Sequence, residues 1–161
     1  MVANIAVGVL VVGWLIARQL RTRQVGDTGP RLMLVLAVIG LVDTVHAAHG
    51  HHVHAAGVVL VVAGLLMGAA LGAWRATTVR LWRDANGVAW RRGTVATGVL
   101  WVVSLGSHLL LDVAVDHVSG VSGFGTAGIL LYLAVTLGVQ REVLRWRAGQ
   151  LTAGSAPART L

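Results

Sequence analysis

Cysteine and lysine are both missing from this 161-residue chain, and it has only two prolines, one tyrosine and one phenylalanine. Without cysteine there are no disulfides, no thiol redox chemistry and no thiolate metal sites, and the redox compartment stays undecided. Charged residues make up 12%, about half of the ~25% usual in soluble domains. No HExxH, GxSxG or phosphate-binding glycine loop is found, so no familiar catalytic motif is written in the chain. With no lysine, the net charge of +7 comes from 13 arginines against six acids. An isoelectric point near 11.8 raises the question of nucleic acid. The placement of the arginines answers it with membrane topology instead, and no nucleic-acid partner is expected.

Apolar residues fill the gap, at 56% with a mean hydropathy of +0.77. Several runs approach the length that crosses a bilayer. The expected architecture is all-α, a five-helix membrane bundle in a single domain over residues 1–147. Spans are placed at residues 2–17, 32–48, 55–74, 95–115 and 124–139. Residues 148–161 read as a disordered cytoplasmic tail. The first span is short and lacks a basic segment ahead of it, so it is read as retained, with its N-terminus outside. High Arg, Val, Ala and Gly without Lys points to a GC-rich bacterial genome, and so to a bacterial plasma membrane.

Orientation follows from the arginines. Four lie after the first span, five between the third and fourth, and four after the fifth. With the N-terminus outside, all of them fall on the cytoplasmic side. The same assignment puts every histidine, with Asp43, Asp112 and Asp116, toward the exterior. Six tryptophans lie mostly near span ends, as interfacial anchors do.

Residues 79–92 form an expected cytoplasmic β-hairpin. Ala85-Asn86-Gly87 separates two short alternating runs, a strong turn signal. A three-residue loop sets Asp84 opposite Val88 and Trp82 opposite Trp90. In the third span Gly64, Gly68 and Gly72 make a GxxxGxxxG ridge that invites close helix approach, within the chain or in a homo-oligomer.

The segment from Asp43 to His54 reads DTVHAAHGHHVH and holds five of the seven histidines. At 1.5 Å per residue, His46 lies roughly 22 Å from Arg31, and His108 roughly 24 Å from Arg92. The two can share one layer. Ser104, His108, Asp112 and Asp116 recur every four residues, a polar stripe on the fourth span. Three readings stay open. In the first, Asp43, His46, His108 and Asp112 pair to hold helices together. In the second they bind a metal or haem: His46, His49, His108 and Asp112 are candidate ligands for zinc or another divalent transition metal, or His46 and His108 ligate haem. Asp43, Ser104 and Asp116 would then support that layer, while His51, His52, His54 and His117 belong to the outer loops. The third is a proton or ion relay through Asp43 and His46 in a carrier. It counts against a relay that the inner halves of the spans carry few polar residues. An enzymatic variant would be a metal-assisted intramembrane hydrolase with Asp43 as base. Non-enzymatic metal or haem binding is the leading expectation.

Arg18 to Arg23 reads RQLRTR, Arg80 to Thr94 reads RLWRDANGVAWRRGT, and TLGVQR runs from Thr136 to Arg141. With the short first span, these stretches resemble the CcdC-like small bacterial membrane proteins. The resemblance implies a setting in cytochrome c biogenesis and supplies no catalytic residues. The histidine segment is not part of that pattern.

Overall fold

A computed structural model describes residues 21–25, 30–49, 54–121 and 123–151. The expected first span, Asp27, His51, His52 and the last ten residues lie outside these. The described elements are a strand β1 (Arg23–Gln24), a helix α1 (Pro30–Ala48), a helix α2 (Ala55–Thr78), strands β2 (Arg80–Arg83) and β3 (Ala89–Arg92), a helix α3 (Val95–Ser119), a short helix α4 (Phe124–Ala127) and a helix α5 (Ile129–Gln150). Three of them, α1, α2 and α3, are long and apolar enough to cross a membrane. They are the second, third and fourth expected spans. The fifth expected span divides into α4 and α5.

Local chemistry explains the boundaries. Pro30 opens α1, where its missing N–H removes a donor that would have no partner in the helix. Thr94 caps α3 reciprocally with Thr97: each threonine oxygen accepts from the other's backbone N–H, at 3.3 and 3.0 Å. Gly120 ends α3 in the left-handed region, at φ 72°, and donates to Asp116 O. α5 runs through Ala148, which is buried, so the helix extends past the point where the tail was expected to begin.

The hairpin forms in the expected register. Trp82 pairs with Trp90, and Asp84 N donates to Val88 O at 3.0 Å. Only Gly87 takes a positive φ, of 78°. The Asp84 carboxylate ties the loop, accepting from Asn86 N, Val88 N and Trp90 Nε1 at 2.8–3.0 Å. β1 adds a third antiparallel strand on the far side of β3, giving the order β1-β3-β2. A hairpin alone is marginal in water, and the extra strand helps to stabilise it. Arg83 donates to Ala148 O and Arg147 to Ala76 O and Val79 O, fastening sheet, α5 and the end of α2 together. The arginines of β1, β2, β3 and the end of α5 thus gather at one end of the molecule.

Helix packing is set by the small residues of α2. Gly64, Gly68 and Gly72 are all buried. A Cβ on Gly68 would lie 2.5 Å from the Tyr132 ring, and one on Gly72 would lie 2.5 Å from Thr136 O, while Gly64 faces Leu111. The ridge therefore packs against α5 and α3 of the same chain. α1 packs on α5 and α4, with Gly40 against the backbone of Leu130 and Leu131. Its other faces, including Leu34, Val38, Leu41 and Val45, are exposed, as a lipid-facing surface requires.

Candidate functional site

The faces that α2, α3 and α5 bury against one another differ in kind. α2 presents glycines and then Arg75. α3 presents Thr97, Trp101, Ser104, His108 and Asp112, three or four residues apart. α5 presents Tyr132, Thr136 and Gln140, four apart. Residues so spaced share one helix face, so the three-helix interface holds a column of polar side chains. The sequence reading, with few polar groups in the inner halves of the spans, is corrected here. Arg75, Thr97, Thr136 and Gln140 are buried there together.

The outer part of the column is built around His108 and Asp112, 6% and 7% exposed. His108 Nδ1 stands 3.5 Å from Asp112 Oδ1. The imidazole stacks on the Tyr132 ring, with centroids 4.2 Å apart and planes 10° from parallel. The Tyr132 hydroxyl bonds Ser104 Oγ at 2.7 Å and donates to Ser104 O at 2.9 Å. His108 Nε2 and Asp112 Oδ2 are buried without a partner. Both residues line a cavity of about 20 Å³, walled also by Leu60, Gly64, Val115, Gly125 and Tyr132. That is room for one water or a bare ion, and too small for a haem. Gly125 sits so close to Asp112 that a Cβ there would lie 2.6 Å from its Cα. The backbone of α4 therefore forms the wall behind the carboxylate.

The inner part holds Arg75, fully buried. Its Nε donates to Gln140 Oε1 at 3.0 Å, and its guanidinium lies 4.1 Å over the Trp101 ring. Beyond it, Thr97 Oγ1 and Thr78 Oγ1 are 2.9 Å apart, and Thr94 Oγ1 donates to Thr78 O. Apolar clusters flank the column: Val115, Val121 and Phe124 beyond Asp112, and Ala76, Val79 and Leu144 beyond Arg75.

The expected histidine layer divides. His108, Asp112 and Ser104 belong to the column. His46, His49 and Asp43 are exposed on α1 or just past its end, away from that interface. On α1, Asp43 is exposed while Gly40 is buried. His54 precedes α2 and His117 ends α3, both exposed. Among the described residues no group of three or more His, Asp or Glu side chains could hold a metal ion. His46 is exposed on α1, which packs on α4 and α5, whereas His108 is buried. Asp116 is engaged with the turn after α3. Its carboxylate accepts from Gly123 N and Gly125 N, both at 2.8 Å, and so shapes the turn into α4.

The residues missed in sequence are Arg75, Trp101, Tyr132, Thr136 and Gln140. Their signal was periodicity: Tyr132, Thr136 and Gln140 recur every four residues in an otherwise apolar run. Arg75 was counted with the cytoplasmic charges, and nothing in its immediate sequence says that it folds inward. Comparison with family models, curated proteins and solved structures finds no match for this chain.

Proposed function

We propose that this is a proton-conducting protein of the bacterial plasma membrane, with the buried His108–Asp112 pair as its exchangeable proton site. One observation carries the reading. His108 and Asp112, whose Nε2 and Oδ2 lack a partner, both line one water-sized cavity between the helices. Ionisable groups at such depth are costly unless used. The polar column supports a route inward from that site, and the apolar clusters at its two ends are where gates would act. The topology proposed with it has five spans, N-terminus outside and arginines on the cytoplasmic side. The gathering of arginines around the sheet supports it. Because the chain has no cysteine, single cysteines placed at residues 86 and 117 would report sidedness to an impermeant thiol reagent.

The test is proton entry into vesicles holding the purified protein and a pH-sensitive dye, driven by a potassium diffusion potential. Flux is expected from the unaltered protein and lost in Asp112→Asn. An infrared carboxyl band that titrates, and is missing in that variant, should accompany it. Flux no greater than in protein-free vesicles, with no titrating band, would sink the proposal.

A second reading is favoured by the same two unpartnered atoms: a divalent metal such as zinc, bound by His108 Nε2 and Asp112 Oδ2 with water completing its shell. Elemental analysis after exposure to zinc separates the two readings. One zinc per chain, lost in His108→Ala, would select the metal.

A further inference from the structure

Deeper in the column the chemistry is one-sided. Arg75 NH1 and NH2, Trp101 Nε1, Gln140 Nε2 and Thr136 Oγ1 are all buried without a partner. The four residues are between 0% and 2% exposed. Four of these five atoms are nitrogens that can only donate, and the threonine hydroxyl can do so. They lie close together. Arg75 touches both Gln140 and Trp101. Thr136 is one turn before Gln140, and its backbone faces Gly72, three residues before Arg75.

The guanidinium also lacks a counter-charge. The ion pairs among the described residues are His108 with Asp112, and Glu142 with Arg141 and Arg145. An arginine stays charged in a protein, and a buried charge with no partner is strongly unfavourable. Arg75 is only three residues from the end of α2, within reach of the membrane interface, where such side chains usually extend. Its neighbour Trp74 does face outward, at 60% exposed, while Arg75 turns into the interface.

We infer that Arg75, Trp101, Gln140 and Thr136 form a binding site for a small monovalent anion of the size and charge of chloride. The anion supplies the missing negative charge and accepts from the guanidinium, indole, amide and hydroxyl together. The close approach of α2 and α5 at Gly72 limits the site to a small ion. The inference stands apart from the proton chemistry of His108 and Asp112.

The test uses full-length protein in nanodiscs of zwitterionic lipid. Sodium gluconate is replaced stepwise by sodium chloride or bromide at constant ionic strength, and thermal unfolding and tryptophan emission are followed. A saturable rise in melting temperature and a saturable emission change are expected with both halides. They should vanish in Arg75→Gln and persist in Arg80→Gln, which alters an exposed strand arginine. Should Arg75→Gln not fold, Trp101→Phe keeps an aromatic ring against the guanidinium and removes one donor. It should raise the halide concentration needed for half the melting effect about tenfold. Identical melting and emission in gluconate and halide, or an undiminished halide effect in Trp101→Phe, would overturn the inference and leave the donors to water.

Discussion

Replacing Gly72 by alanine puts the helix packing to a direct test. A Cβ at Gly72 would stand 2.5 Å from Thr136 O, 3.2 Å from its carbonyl carbon and 3.3 Å from its Cα. All three are backbone atoms, so no side-chain rotation relieves the contact. Carbon and its neighbours prefer about 3.5–4.0 Å, so α5 must retreat by roughly an ångström or α2 must tilt. Overpacking of this kind costs about 1–3 kcal/mol. The glycine-to-alanine change itself returns up to ~1 kcal/mol of helix propensity. Gly106 provides the control, because it lies in α3 with nothing within 4 Å of an added Cβ. Gly106→Ala should be neutral or stabilising by up to ~1 kcal/mol, and Gly72→Ala should fall about 1–3 kcal/mol below it. Unfolding of the detergent-solubilised protein by graded denaturing detergent, followed by tryptophan emission, measures both. Equal stability of the two variants would refute the close approach. A loss at Gly72 that grew with dilution would place the ridge between subunits, contrary to the packing described above.

Tyr132→Phe removes the hydroxyl bonded to Ser104 Oγ and Ser104 O but keeps the ring against His108. Hydrogen bonds between membrane helices average ~0.6 and reach ~1.7 kcal/mol, so a loss in that range is expected in the same unfolding assay, and no loss would remove the bond from the column's framework. Replacing the exposed His46 and His49 together by alanine should change stability by no more than ~0.5 kcal/mol, whereas His108→Ala, at a buried position, should cost about 2 kcal/mol or more; equal costs would show that the α1 histidines are engaged after all. In the hairpin, the Trp90 indole N–H, then the Val88 and Asn86 amides, hold the Asp84 carboxyl below its usual range. A depressed carboxyl stabilises the loop fully above its unfolded value near ~3.9 and loses that contribution as pH falls through the lowered folded value. The Trp90 indole resonance should therefore stay put at neutral pH and move only in acid, and Asp84→Asn should shift it at every pH; movement near pH 6 would point to a different group.

Reading along the chain works where the determinant is local. The positions of α1, α2 and α3, the Asn86-Gly87 turn and the pairing of Trp82 with Trp90 all depend on neighbours a few residues apart, and each is visible in the residues themselves. Depth in the bilayer is likewise a matter of counting, because every residue adds the same rise. By that count His46 and His108 fall in one layer. What counting leaves open is azimuth, the direction in which a side chain leaves its helix, since that depends on which neighbour the helix finds. α2 approaches α5 and α3 because its glycines permit contact of backbone with backbone, and this turns His108 and Asp112 inward beside Tyr132. α1 meets α5 and α4 through Gly40, which leaves His46 and Asp43 on the outside. Arg75 shows the same limit most plainly. Sequence places a cation near the cytoplasmic end of a span, and only the packing of three helices decides that it is buried over Trp101 instead of reaching into solvent.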